Sequence, residues 1–316
     1  MYFSDRARLN TCRGEALARK IGFVKSKSQR ECFAPTKTAA TAVLYIADSL
    51  HAGRGCPILA RMTYCLSLLS QDGLVFLSDS RSNAGMDSIA THRKMHVYEK
   101  PGDRVIVLQS SGNLSLTHSA LALIAEDLLI GETKTEHPHL LNQKTLFETA
   151  RYIGQKVREV EKLDRANLEK DDYKFNIHFL VGGQIGEFPH GLWYVYPQGN
   201  VMHASIETPF LQVGESKYGK PILDRGFRFT SSLDEATKFG VLSMDSTMKS
   251  NLSVGPPVDI VVYEKDALRI NRRAHLTEKD PYLQSIRQQW GEGLARLAKE
   301  MPDLQFEEST EGSVCA

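Results

Sequence analysis

The sequence predicts an α+β fold in four layers, αββα, with two stacked, mainly antiparallel sheets and helices on both outer sides. Three observations predict it. Short runs rich in β-branched and aromatic residues come in pairs joined by turn signals, as hairpins do. Helical segments come in blocks between groups of strands instead of after each strand, which argues against a parallel nucleotide-binding sheet. The chain also carries no GxGxxG or GxxxxGK phosphate loop.

Regular patterning begins at Met62. TYCLSLLS (Thr63–Ser70) and LVFLSDS (Leu74–Ser80) read as two strands joined by the turn Gln71-Asp72-Gly73. MHVYE (Met95–Glu99) and RVIVLQS (Arg104–Ser110) flank Pro101-Gly102-Asp103 as a second hairpin. A helix follows, with Thr117 as its expected N-cap and Gly131 at its end. A second helix is expected from about Lys144 to Lys162, with Phe147, Ile153 and Val157 on one face. Strands return at Phe175–Gly183, Gly191–Pro197 and Asn200–Ile206, the last two linked by Pro197-Gln198-Gly199. Ser232 and Glu235 form a capping box that opens a third helix, running to about Lys249. VDIVVYE (Val258–Glu264) is a strand, and Asp280-Pro281 starts a last helix that extends to about Met301. Residues 303–316 read as a polar tail.

Bulk properties exclude several classes. A net charge of +1 offers no basis for a nucleic-acid or anionic-membrane partner. No uninterrupted apolar run reaches about 18 residues, so no membrane span is expected. The five cysteines (Cys12, Cys32, Cys56, Cys65, Cys315) are odd in number and show no CxxC spacing, which disfavours a disulfide framework or zinc site and points to a reducing cytoplasm. The histidines lack HExxH or paired spacing, so no metal and no cofactor are expected.

Residues 1–62 differ from the remainder: Arg6, Arg8, Arg13, Arg19, Lys20 and further basic residues face only Asp5, Glu15, Glu31 and Asp48, with no sustained period. They read as a basic tail, a propeptide, or an untranslated stretch ahead of a true start at Met62. The third reading is favoured on chemical grounds given below. The division expected is thus a basic extension over 1–62, one domain over 63–302 and the tail.

The segment from Met62 to Asn113 resembles the start of a proteasome β-type subunit. That family begins its mature chain with Thr, then has a strand, a turn with Gly, and a second strand ending in Asp-x-Arg. A Lys precedes its third strand, and a small-residue motif with Gly follows its fourth. The matching positions are Thr63, Asp72-Gly73, Asp79-Ser80-Arg81, Lys94 and Ser110-Ser111-Gly112. Within the family, SDSRSNAGMDSIATHRKMH, GESKYGKPILDR (Gly214–Arg225) and STMKSNLSVGPPVD (Ser246–Asp259) resemble the bacterial branch called Anbu. The likeness spans residues 63 to about 300. It implies an N-terminal-nucleophile (Ntn) hydrolase.

The resemblance implies a threonine-type endopeptidase in which Thr63 is the nucleophile. A threonine hydroxyl needs a base, and the α-amine of the same residue, with a reference pKa of about 8, can serve when free. An upstream peptide would turn that base into a neutral amide. Removal of an initiator Met62 would expose the amine directly, which favours a start there. Lys94 would favour the neutral amine and the developing alkoxide, Asp79 would pair with Lys94, and the Gly112 N–H would donate to the oxyanion. Ser216 falls where a serine would hydrogen-bond the amine, and Arg81 is expected to neutralise Asp79 or a neighbour.

One departure is visible. The family places an Asp and a Ser three residues apart after the penultimate helix, and this chain has Ser250 and Ser253; Asp245 lies too far upstream to substitute. That motivates an alternative, a small-molecule or modified-peptide amide hydrolase. A catalytically silent assembly module follows if residues 1–62 are retained. Cys65, also a conceivable Ntn nucleophile, reads as a small buried residue. The partners implied are a peptide or protein substrate and further copies of the chain in a ring or spiral; an ATPase partner is not inferable.

Overall fold

In the computed structural model, residues 63–83, 89–170 and 174–306 are described. The expectations for residues 1–62 and for 307–316 of the tail lie outside them. In chain order the elements are β1 (Tyr64–Ser70), β2 (Gly73–Asp79), β3 (Arg81–Asn83), β4 (Ile89–Thr91), β5 (Met95–Lys100), β6 (Arg104–Gly112), α1 (Leu114–Thr133) and α2 (Leu146–Lys170). There follow β7 (Ile177–Ile185), β8 (Gly191–Val195), β9 (Val201–His203), β10 (Phe210–Gly214), α3 (Lys220–Gly226), α4 (Leu233–Ser250), β11 (Val258–Glu264), β12 (Arg272–Leu276) and α5 (Pro281–Glu300).

Both expected hairpins close in the register their turns dictate. Ser70 pairs with Gly73 across the first turn, and Lys100 with Arg104 across the second. One five-stranded sheet has the order β10-β1-β2-β11-β12 and the other β5-β6-β7-β8-β9, with β3-β4 as a separate ribbon. The pairings within all three are antiparallel.

Three apolar cores stack through this arrangement. Tyr64, Leu66, Leu68 and Ile260 pack with Leu233, Ala236 and Met244 of α4. Their strand neighbours Cys65, Phe76 and Val261 face the other way and meet Val105, Val107 and Leu180 between the sheets. Ile106, Leu108 and Phe179 turn outward onto Ala120 and Ile124 of α1 and Ile153 and Val157 of α2. Period-two alternation therefore delivers each central strand to two cores, and every residue of β1 and β2 is buried. Polar groups sealed there find partners: the Ser67 hydroxyl donates to Gln109 Oε1 at 2.5 Å, and Gln109 Nε2 donates to the Leu77 carbonyl at 2.7 Å, bridging the two sheets.

Several boundaries differ from expectation. Asn113, not Thr117, caps α1, because its Oδ1 accepts the Ser115 N–H at 2.9 Å; Thr117 is inside the helix and donates to the Leu114 carbonyl. The helix also runs through Gly131 to Thr133. The second helix continues past Lys162 to Lys170, where Arg165 bridges Glu161 and Glu169 one turn to either side. Phe147 is half exposed and leans on Trp193 instead of joining Ile153 and Val157 in the core. The Ser232–Glu235 capping box and the helix start at Asp280-Pro281 are present as expected, and the Asp280 side chain accepts the Tyr282 N–H as a cap. By length and composition α1 could cross a membrane, but Leu116, Ala120 and Ile124 are buried against the sheet and α2.

Candidate active site

Thr63 stands just ahead of β1 and is 8% exposed. Its strand is anchored from the outer side: the Tyr64 phenol lies 2.7 Å from Ser243 Oγ on α4 and also accepts from Gln212 on β10. Burial pushes that phenol up to about 12, so it stays neutral.

Antiparallel pairing of β1 with β2 brings the end of β2 beside Thr63. The Tyr64 N–H donates to Asp79 Oδ1 at 3.0 Å. Lys94, at the head of β5 in the other sheet, reaches across and donates from Nζ to the same oxygen at 2.7 Å and to the Arg81 carbonyl at 2.6 Å. Asp79 is fully buried and Lys94 nearly so. Burial raises the Asp79 carboxyl above the usual carboxylate range, opposed by the Lys94 ammonium and by the Tyr64 and Gly255 N–H groups. An ion pair sealed this deeply fixes geometry more than it adds stability, because desolvation offsets much of the attraction.

The Lys94 carbonyl accepts the Ser110 N–H at 2.9 Å, which links this pair to β6 and to Gly112 at its end. Gly112 has φ +116, and a Cβ there would lie 2.3 Å from the Asn176 carbonyl oxygen. The neighbouring chain itself therefore demands glycine, a reason independent of any approaching substrate. Cys65 lies next along β1 with its sulfur 3.7 Å from the Ser110 carbonyl, and burial pushes its thiol well up. A protonated, enclosed thiol is not a nucleophile.

On the far side of Thr63, the Glu215 N–H donates to the Thr63 carbonyl at 2.7 Å. Gly214 makes that approach possible, since with φ +87 a Cβ would sit 1.8 Å from the same oxygen. Ser216 follows Glu215 directly, and its carbonyl accepts the Lys220 N–H. The structure thus gathers Thr63, Asp79 and Lys94, ties Gly112 in through the Lys94–Ser110 bond, and leaves Ser216 one residue beyond the group that touches Thr63.

Arg81 departs from expectation. Its guanidinium donates to the Leu252 carbonyl at 2.9 Å and lies over Gly255, so it does not neutralise Asp79. Asp245 pairs with Arg287 on α5, away from the site. Ser250 ends α4, while Ser253 donates through its hydroxyl and N–H to Asn251 Oδ1 at 2.6 and 3.0 Å. Asn251 Nδ2 donates to Glu215 Oε2 at 3.1 Å. Glu215 and Asn251 are the residues that sequence reasoning missed. Both lie in segments that carry the family resemblance, Glu215 in GESKYGKPILDR and Asn251 in STMKSNLSVGPPVD, but nothing in either segment sets that residue apart from its neighbours. Among the described residues, no group of three or more His, Cys, Asp or Glu side chains is placed to hold a metal.

No protein-family model matches the sequence. Among solved structures the chain is similar to Anbu, an ancestral β-subunit, from Yersinia bercovieri: 41% identical, covering 78% of this chain and 100% of that one, with a TM-score of 0.72. It is similar as well to the chain of the helical assembly of the Anbu complex from Pseudomonas aeruginosa, at 42% identity, 77% and 98% coverage, and a TM-score of 0.72. A proteasome subunit beta from Haloquadratum walsbyi is 22% identical over 217 residues, 68% of this chain and 79% of that protein.

Proposed function

Because this chain belongs to the Anbu family, within the Ntn hydrolases related to proteasome β subunits, we propose that it is a threonine-type amide hydrolase acting through Thr63. The observation that carries this reading is the buried Lys94–Asp79 pair, whose carboxylate also holds the backbone N–H of Tyr64 next to Thr63.

In the proposed reaction the Thr63 α-amine, once free, takes the proton of its own hydroxyl as Oγ1 bonds to the substrate carbonyl carbon. The carbonyl π electrons move to oxygen, and the Gly112 N–H donates to that oxyanion. Lys94 contributes positive charge, which lowers the cost of the alkoxide and favours the neutral amine. Collapse of the intermediate breaks the C–N bond, and the amine returns its proton to the leaving nitrogen. Water, activated by the same amine, then hydrolyses the Thr63 ester. Peptides or proteins are the proposed substrates. Self-association is proposed on the helical assembly of the similar Pseudomonas aeruginosa complex.

N-terminal sequencing of protein from cells, followed by exposure to a β-lactone probe, tests this. A chain starting at Thr63 that is acylated there supports it. A chain starting at Thr63 that resists the probe rejects it. A second reading, hydrolysis of small or modified amides, is favoured by the site's own departure: Ser253 is engaged with Asn251, and Asp245 with Arg287. Efficient turnover of fluorogenic peptides would exclude that second reading.

A further inference from the structure

We propose that Glu215 is a positioning residue for Thr63, its carboxylate receiving the ammonium created when the bond ahead of Thr63 is cut. This rests on the reading of Thr63 as the nucleophile. Hydrolysis of that bond by water leaves a carboxylate on the released segment and a protonated amine on Thr63.

Register places the two residues together. Tyr64 pairs with Gly214 in the β1–β10 ladder, and the Glu215 N–H to Thr63 carbonyl bond extends the ladder by one step. Residues opposite each other on paired strands sit about 5 Å apart, so Glu215 and Thr63 are cross-strand neighbours. Glu215 is only 5% exposed. Among the described residues no Lys, Arg or His forms an ion pair with it, in contrast with buried Asp79 and Asp127, which have Lys94 and Lys156. A buried carboxylate without counter-charge is costly. An ammonium on Thr63 would supply that charge at the adjacent position.

The carboxylate is also held from α4. The Asn251 N–H caps the Thr247 carbonyl, its Oδ1 accepts two bonds from Ser253, and its Nδ2 donates to Glu215 Oε2. Helix end, Asn251 amide and Glu215 carboxylate form one chain of contacts, and Glu215 meets Thr63 through its backbone N–H. It occupies the segment where the related subunits carry an Asp and a Ser.

Among the described residues, the charged and titratable groups that the contacts bring to the head of β1 are Asp79 from β2, Lys94 from ahead of β5, Cys65 from β1 and Glu215 from beyond β10; uncharged Asn251 and Ser253 follow α4, and Lys249 in its last turn is exposed. Lys94 lowers the basicity of a free Thr63 amine, and Glu215 raises it. The amine is thereby kept basic enough to accept a proton while lodged between the two.

The test is the pH dependence with which cyanate carbamylates the Thr63 amine, read by mass spectrometry of the N-terminal peptide from full chains processed in cells. Cyanate reacts with the neutral amine, so the midpoint reports its basicity without requiring catalysis. Glu215→Gln is expected to move the midpoint down by roughly half a pH unit or more, and Glu215→Asp to restore most of it. Asn251→Ala, which frees the carboxylate without removing it, is expected to give a smaller shift in the same direction and serves if Glu215→Gln does not fold. Unchanged midpoints in these variants would overturn the proposal, as would a wild-type chain whose Thr63 amine stays in peptide linkage in cells. Failure of the β-lactone probe with a normal Glu215-dependent midpoint would instead reject the catalytic reading alone.

Discussion

Lys94 donates to Asp79 across the gap between the two sheets, at 2.7 Å, with almost none of either side chain exposed. The pair joins the residue ahead of β5 to the end of β2 and sits at the head of β1, next to Thr63.

Removing one member leaves the other charged and sealed. Lys94→Met is expected to destabilise the protein by about 3–5 kcal/mol, and the double variant Lys94→Met with Asp79→Asn by distinctly less. Urea unfolding of the set checks this. Equal losses in single and double variants would show that the pair is not the source of the cost.

Gly112 is held to glycine by its own neighbours. Gly112→Ala is expected to cost at least about 1–3 kcal/mol, since it combines a strained backbone with a Cβ against the Asn176 carbonyl. Chemical denaturation reads this separately from any effect on turnover. A fully stable alanine variant would contradict the close approach.

Asp127 on α1 sets an acid limit to stability. Burial works to raise its carboxyl, but bonds from Lys156, Tyr152 and His137 outweigh burial and hold it below the ordinary carboxylate range. Its folded value is depressed, so its contribution is fully present above the ordinary carboxylate pKa. That contribution is lost as pH falls from there through the lower folded value. Asp127→Asn is expected to flatten the stability curve over that acidic window, measured by denaturant unfolding as a function of pH. An unchanged slope would remove Asp127 from the account.

The hairpins and the capping box at Ser232 were legible in the sequence, and the family likeness singled out Thr63, Asp79, Lys94 and Gly112 as candidates, of which Asp79 and Lys94 lie together beside Thr63. Turn chemistry, caps and strand periodicity act over a few residues, and the family motif is linear. The start of α1 was misread because Asn113 and Thr117 are both competent caps, and only the observed chain path gives the Ser115 N–H to Asn113. Strands β10 and β12 and helix α3 escaped notice because they are short and their strand partners or packing surfaces lie far away in sequence. Tertiary structure alone decided the surroundings of Thr63. Glu215 reaches it through a ladder between distant strands, Asn251 reaches Glu215 from a helix end, and Arg81 turns from Asp79 to the Leu252 carbonyl. Local propensity carries no term for such long-range contacts, which exist only once the strands have paired and the helix has docked.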